Sequence, residues 1–217
     1  TALCLGPALG LSPEAVPTTL IANSELIRQR VGGDGMISLN PQVHDLPEKL
    51  RARAGNMNLL VMGSVAGAGG GCACAANALV KSLLGHLVEE RGQWVIVDLE
   101  AGVEHLGRGT VQFVDGLVVV SEPSLRGLQT AAQISRLARD LGLTRQALVL
   151  NRTPEDCVLP EIAGLPPLTA TLPRLPSLEA RQLFSASALD LAERGQIDPA
   201  CRAILGALAD GKAIPEP

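Results

Sequence analysis

The sequence predicts an α/β fold, a mostly parallel sheet flanked by helices. Its short apolar runs are continuous rather than alternating, which is typical of strands buried on both faces. Helical patterns lie between these runs, in the order expected for α/β proteins. Aromatic residues make up 1% of the 217 residues, so the core must consist of Leu, Val, Ile and Ala. We predict a single domain over residues 1–217.

Apolar runs predict the strands. Four runs stand out, at 58–62, 94–99, 117–120 and 147–150. A weaker run at 168–172 predicts a fifth strand.

Apolar residues at helical spacing predict three helices, at 77–91, 124–141 and 198–209. The third is predicted to begin at Asp198, because a capping residue followed by proline is a typical helix start. Glycine and proline punctuate 31–56, which we predict to be a loop with at most a small hairpin. The proline-rich stretch 152–177 is predicted to form loops around the last strand.

Composition and charge argue against several classes of partner. The formal net charge is −4, and no run of Lys or Arg exceeds two residues, so neither nucleic acid nor an anionic membrane is expected as a partner. No apolar stretch approaches the roughly 18 residues that a membrane helix needs. Five Cys residues without a disulfide-like spacing indicate a reducing, cytoplasmic environment.

Asp98 lies near the end of the apolar run 94–99, so it is predicted at the sheet edge where ligands of open α/β folds bind. A carboxylate there can hold a magnesium-bound water beside a nucleotide phosphate. Gly102 would let the backbone approach a phosphate closely. A strand that merely ends in a polar residue has the same pattern, and the pattern alone favours that simpler interpretation.

Cys72 and Cys74 follow the glycine-rich stretch 67–71. Two thiols cannot fill a tetrahedral site for a soft metal, which takes four N or S ligands. A second copy of the chain, related by two-fold symmetry, could supply the other two. The alternative is two small residues without a metal, and the pattern alone favours it.

Asn151 directly follows the predicted strand at 147–150. Its side chain offers both a hydrogen-bond donor and an acceptor, which suits the edge of adenine. A turn residue after a strand is the alternative.

Longer strings resemble one family. They include 98–110 (Asp-Leu-Glu-Ala-Gly-Val-Glu-His-Leu-Gly-Arg-Gly-Thr), 114–124, 35–41 and the Cys72-Ala73-Cys74 motif. These strings resemble CooC-type ATPases, the nickel-insertion accessory proteins of carbon monoxide dehydrogenase, which belong to the MinD-like P-loop ATPases. The likeness covers nearly all of 1–193.

The resemblance implies a MinD/SIMIBI-like P-loop NTPase fold that binds ATP or ADP with Mg²⁺. By the same resemblance, Asp98 organises the magnesium and its water, and Gly102 contacts the terminal phosphate. Asn151 and a loop near Pro173 frame the base. The residue after this Asn is usually Lys in the family, and here it is Arg152.

The resemblance also implies a homodimer with a shared metal site. Cys72 and Cys74 would bind Ni²⁺ or Zn²⁺ at the dimer interface. ATP binding would close the two subunits and alter this thiolate site, and nickel would pass to carbon monoxide dehydrogenase.

A phosphate-binding loop needs G-x-x-x-x-G-K-[ST] between a strand and a helix. The nearest match, at 206–213, ends in Ala and follows a predicted helix. In the family this loop precedes the segment that begins at Thr1, so we expect an N-terminally truncated fragment. We expect the intact parent to hydrolyse ATP. We expect the chain as written to bind ATP poorly, to be inactive and to have lower stability, because strands would lose partners.

Two other functions stay open from the sequence. One is a non-enzymatic metal-binding dimer with a degenerate ATPase fold. The other is a MinD/ParA-type positioning ATPase, which would need a membrane-targeting helix or a basic DNA-binding face. We find neither in the sequence, and the Cys72–Cys74 pair would have no use there.

Overall fold

The computed structural model describes residues 4–16, 18–32, 38, 40–63, 73–89, 93–99 and 114–209. The chain divides into two compact units. The first comprises Thr1–Ala101 and Ser185–Leu189, and the second comprises Gly102–Phe184 and Asp190–Pro217. The prediction of one domain over 1–217 stays a prediction.

Helices and a small hairpin form the described part of the first unit. The elements are α1 (Leu5–Ala8), a 3₁₀ turn (Pro13–Ala15), α2 (Ser24–Val31), α3 (Leu46–Leu50), β1 (Ala52–Ala54), β2 (Met57–Leu59) and α4 (Ala73–Glu89). Helix α2 packs against α4, and Leu79 and Leu83 of α4 are buried. The described part of the first unit therefore contains a core between helices as well as the hairpin.

The run at 58–62 does not form the buried parallel strand that the sequence predicts. Strand β2 pairs with β1 in an antiparallel hairpin, whose turn contains Gly55 with φ 57°. Glycine favours such a short turn because it adopts positive φ without steric cost. Val61 lies beyond the hairpin, and its carbonyl accepts a hydrogen bond from the N–H of Leu20 at 3.0 Å. The apolar run is thus divided between a hairpin and a neighbouring segment.

The strand predicted at 94–99 is also wrong, since residues 93–99 form no strand in the structure. Ile96 is 81% exposed and Val95 is 37% exposed. A strand requires a neighbour to share its backbone hydrogen bonds, and no described residue pairs with this segment. An apolar run can predict burial, but it does not show whether a second strand is available to pair with it.

The helix predicted at 77–91 exists as α4, but it begins at Ala73 and ends at Glu89. Cys74 is therefore part of its first turn, and not part of a loop before the helix. The alanines at 73, 75 and 76 explain the earlier start, because Ala has the highest helix propensity. Apolar spacing alone could not locate this start, because the helical pattern of large apolar residues begins only at Leu79.

Asp45 joins α2 and α3 within the first unit. One of its carboxylate oxygens accepts hydrogen bonds from Lys49 Nζ at 2.7 Å and Arg30 Nη2 at 2.6 Å. Its other oxygen is buried and has no hydrogen-bond partner. The hydrogen bond from Lys49, followed by that from Arg30, holds the pKa of Asp45 well below its ordinary value.

This lowered pKa predicts an acid-sensitive first unit. The stabilisation by Asp45 is complete above the unfolded-state pKa of about 3.9 and is lost as the pH falls toward the lower folded-state pKa. We expect Asp45→Asn to destabilise the unit at neutral pH, with a difference from the wild type that shrinks below about pH 4. Thermal unfolding across this pH range measures it. Asp156→Asn, at an exposed loop position, is the control, and a pH-independent difference at Asp45 would refute the linkage.

The second unit contains the parallel sheet. Its elements are β3 (Leu117–Ser121), α5 (Leu125–Asp140), β4 (Gln146–Leu150), β5 (Leu168–Thr171), α6 (Pro176–Arg181) and α7 (Arg194–Leu208). The strands are parallel in the order β3-β4-β5. The strands predicted at 117–120, 147–150 and 168–172 are confirmed, as is the helix predicted at 124–141. The α/β fold class is therefore confirmed.

Helices cover both faces of this sheet. On one face α5 contributes to a core cluster of Val119, Leu128, Ala131, Leu148 and Leu150. On the other face α7 packs on β4 and β5, in a cluster of Val149, Ala170 and Ala200. All five residues of the central strand β4 are buried, as the continuous apolar run predicts. Strand β3 differs, since Val118 is 37% and Val120 is 62% exposed.

Helix α7 begins at Arg194, earlier than the start predicted at Asp198. Pro199 therefore lies inside the helix, where it lacks an N–H to donate to the preceding turn. Ala200 and Ile204 of the same helix pack against Val149 and Ala170 of the sheet. This burial outweighs the lost hydrogen bond, because tertiary packing routinely overrides local propensity.

A buried polar contact fixes α5 against β4. Ser135 Oγ donates to Gln146 Oε1 at 2.6 Å, and Gln146 Nε2 donates to the carbonyls of Leu143 at 2.7 Å and Ser135 at 3.1 Å. Both side chains are buried. Because each polar group has a partner, the pair adds directional contacts without leaving a desolvated donor.

Candidate functional site

The candidate site lies at the carboxyl edge of the parallel sheet in the second unit. Three backbone hydrogen bonds tie the segments that leave the strands. The N–H of Asn151 donates to the Ser121 carbonyl at 2.8 Å, Leu172 to Leu150 at 2.8 Å, and Thr153 to Leu172 at 2.9 Å. Asn151 and Pro173 consequently emerge at the same edge, where ligands of open α/β sheets bind.

Asn151 is half-buried. Its Oδ1 accepts a hydrogen bond from the backbone N–H of Arg152 at 3.0 Å. Arg152 has φ 56°, in the left-handed region that few residues other than glycine adopt. Its guanidinium Nη1 lies 3.1 Å from Glu122 Oε1. The ends of β3 and β4 are thus joined through both backbone and side chains.

The turn between β3 and α5 brings the start of α5 close to the end of β3. Ser124 caps the helix by accepting a hydrogen bond from the N–H of Gly127 at 3.1 Å. A Cβ at Gly127 would lie 2.7 Å from Ser121 Oγ and 2.9 Å from the Glu122 carbonyl. Only glycine fits without a shift, so the tight packing at this edge depends on it.

The loop that carries Pro173 is held at both ends. Leu172 is bonded to β4 as described, and the N–H of Ser177 donates to Glu193 Oε1 at 2.8 Å. Ser177 Oγ donates to the other carboxylate oxygen of Glu193. The hydrogen bond from the Ser177 hydroxyl is the main cause that lowers the pKa of Glu193. Pro173 is half-buried and retains surface for a ligand.

Thr153 adds an unsatisfied polar group two residues after Asn151. Its Oγ1 is buried and has no hydrogen-bond partner. Most buried hydroxyls in proteins have a hydrogen-bond partner. An unpaired one is therefore unusual, and it occurs in functional regions as well as at strained positions. The same edge therefore carries a half-buried amide, an ion pair and an unpaired hydroxyl.

The other predicted site residues lie mostly outside the described residues. Gly102 and Cys72 are outside them, and for Cys74 only the backbone, in the first turn of α4, is described. Asp98 is exposed and lies in the first unit, in the segment that forms no strand. The structure therefore brings Asn151 and Pro173 to one edge and leaves the roles of Asp98, Gly102, Cys72 and Cys74 as predictions.

No group of three or more His, Cys, Asp or Glu side chains that could hold a metal occurs among the residues that the structure describes. Cys4 and Cys201 are exposed, Cys157 is half-buried, and all three are free thiols. In the described part of the chain, no helix combines the length and the apolar character needed to cross a bilayer.

Sequence reasoning missed Glu122 and Glu193. Glu122 directly follows β3, just as Asn151 directly follows β4, so its place at the edge could have been inferred. Its pairing with Arg152, thirty residues away, depends on the parallel pairing of β3 and β4. Glu193 comes to Ser177 only through the tertiary placement of α7, and no local pattern indicates that contact.

Comparisons with known proteins place this chain in a family. No protein-family model matches it. The carbon monoxide dehydrogenase accessory protein CooC of Rhodospirillum rubrum is 38% identical over 207 residues, which are 91% of this chain and 76% of that protein. The chain belongs to the CooC family. The resemblance inferred from the sequence strings is confirmed.

Two archaeal relatives extend the CooC comparison. An uncharacterized ATP-binding protein of Methanocaldococcus jannaschii is 39% identical over 153 residues, 68% of this chain and 59% of that protein. A second ATP-binding protein of the same organism is 42% identical over 84 residues, 39% of this chain and 32% of that protein. The chain thus spans less than two thirds of each archaeal relative.

Proposed function

We propose that this chain acts in the maturation of carbon monoxide dehydrogenase as a nucleotide-binding accessory protein, and that ATP hydrolysis belongs to the intact parent. The observation that carries the proposal is the 38% identity to CooC across 91% of the chain. ATP-binding relatives and the polar carboxyl edge of a parallel sheet support the nucleotide part. The similarity to the carbon monoxide dehydrogenase accessory protein CooC supports carbon monoxide dehydrogenase as the partner.

The nucleotide would bind with its base at the edge that carries Asn151 and Pro173. The Asn151 side chain would hydrogen-bond the edge of adenine, and Pro173 would offer an apolar surface beside the ring. Asp98 would organise Mg²⁺ through its water, and the backbone at Gly102 would contact the terminal phosphate. A bound Mg²⁺ would neutralise phosphate charge.

We expect Asn151→Ala to weaken the binding of ADP about fivefold to tenfold, because one or two net hydrogen bonds to the base are lost. Titration of isotope-labelled protein with ADP, followed by NMR, detects weak as well as tight binding. In the wild type the amides of Asn151, Arg152 and Leu172 should shift. Asn58→Ala, at an exposed position of the first unit, should change nothing. Equal affinity of Asn151→Ala and wild type would refute the assigned base contact.

The metal part of the proposal concerns Cys72 and Cys74, with nickel as the cargo. Thiolates are soft ligands that bind Ni²⁺ and Zn²⁺ well. Each chain offers two of them, so a homodimer would assemble a four-thiolate site on its two-fold axis. Nucleotide binding would then open or close that shared site as the subunits move, and nickel would be held or released for the dehydrogenase.

A further inference from the structure

The ion pair between Glu122 and Arg152 joins the segments that follow β3 and β4, next to Asn151 of the candidate base site. Glu122 is the first residue after β3, and Arg152 follows β4 after Asn151. Arg152 Nη1 lies 3.1 Å from Glu122 Oε1. The ion pair therefore adds a side-chain contact between the same two segments that the backbone hydrogen bond from Asn151 to Ser121 joins.

The Arg152 backbone determines which way the Asn151 amide faces. Its N–H donates to Asn151 Oδ1 at 3.0 Å. An N–H can be accepted only by the amide oxygen and not by the NH₂ group, so this contact fixes the amide orientation chemically. The NH₂ group of Asn151 donates to no side chain or carbonyl among the described residues, and is available to a ligand.

The ion pair stabilises an unfavourable backbone conformation of Arg152. Arg152 adopts φ 56°, which costs free energy for a residue with a Cβ. The hydrogen bond to Asn151 and the anchored guanidinium both favour this conformation. A change at Glu122 would therefore reach Asn151 through Arg152, although Glu122 itself makes no hydrogen bond to Asn151.

We infer that Glu122 and Arg152 are positioning residues that hold the Asn151 NH₂ group as a hydrogen-bond donor for a ring-nitrogen acceptor of a purine, with N7 as the acceptor that the test below probes. This inference rests on the proposed function, because the purine is the ligand proposed for this edge. The Asn151 Oδ1 atom already accepts a hydrogen bond from the Arg152 N–H, so the side chain would contact the base mainly through its NH₂ donor.

The expected effect is moderate. The Arg152 and Glu122 side chains are 58% and 59% exposed, so solvent screens their attraction. Loss of the pair should weaken purine binding about twofold to fivefold, and the effect should fall at high salt. The contact with N7 itself should be worth about fivefold to tenfold in affinity.

The test compares ADP with 7-deaza-ADP, in which a C–H replaces N7, by NMR titration. Wild type and Arg152→Lys should prefer ADP about fivefold to tenfold. Glu122→Gln and Arg152→Gln should reduce that preference to about twofold. Glu25→Gln, which removes the exposed partner of Arg28 in the first unit, is the matched control and should keep the full preference. An undiminished preference in Glu122→Gln would overturn the inference.

A second measurement needs no nucleotide. Side-chain scalar couplings of Asn151 report whether χ1 occupies one rotamer. We expect a single rotamer in the wild type and averaging in Glu122→Gln, with no change in Glu25→Gln. Identical couplings in wild type and Glu122→Gln would overturn the inference even if ADP binds. Failure of ADP to bind, with the rotamer difference present, would instead refute the proposed base site and leave the positioning role intact.

Discussion

Replacing Cys72 and Cys74 together by Ser is expected to abolish nickel binding. The wild type should bind about one Ni²⁺ for every two chains, because a four-thiolate site takes two ligands from each copy. A serine hydroxyl stays protonated and is a hard ligand, so it does not replace a thiolate for a soft metal. Isothermal titration with Ni²⁺, combined with size-exclusion chromatography at each metal ratio, measures both stoichiometry and assembly.

The three other cysteines provide the matched control for this experiment. Cys4, Cys157 and Cys201 are free thiols in the structure, and changing Cys157 and Cys201 to Ser removes the same number of thiols from the chain. That variant should bind nickel as the wild type does. Undiminished nickel binding after the loss of Cys72 and Cys74 would refute the assigned metal site.

Leu128→Ala is expected to destabilise the second unit by about 2–5 kcal/mol. Leu128 of α5 is 1% exposed and packs against Val119, Leu148 and Leu150 of the sheet. Its truncation removes apolar contacts and leaves a cavity that the surrounding side chains fill only in part. Urea unfolding followed by the NMR signals of α5 and β4 isolates this unit from the first.

Leu125 supplies a control of the same residue type in the same helix. It is 61% exposed, so Leu125→Ala should change stability by less than about 0.5 kcal/mol. Equal effects of the two substitutions would contradict the packing of α5 on the sheet, since burial is the property that distinguishes the two positions.

The second unit could be predicted from the sequence because its patterns are local. Continuous apolar runs located β3, β4 and β5, and apolar residues at helical spacing located α5. The first unit was harder to predict. The run at 94–99 has no strand partner among the described residues. The run at 58–62 is split, because its first residues pair with β1 in a hairpin whose turn contains Gly55.

The candidate site could be predicted in part. Asn151 and Pro173 follow strands, and parallel pairing brings them to one edge. The orientation of Asn151 could not be predicted, because it depends on the positive φ of Arg152 and on the partner that Glu122 provides. The Glu122 contact depends on the register between β3 and β4, which no single segment specifies.

The nickel content of carbon monoxide dehydrogenase tests the proposed role most directly. The enzyme would be purified from cells of the source organism with and without this protein, grown at limiting nickel, and its nickel measured by mass spectrometry. We predict nickel-poor enzyme in cells that lack the protein and normal content when the wild-type protein, but not the Cys72→Ser, Cys74→Ser variant, is restored. Enzyme with a full nickel content in cells that lack the protein would contradict the proposed role.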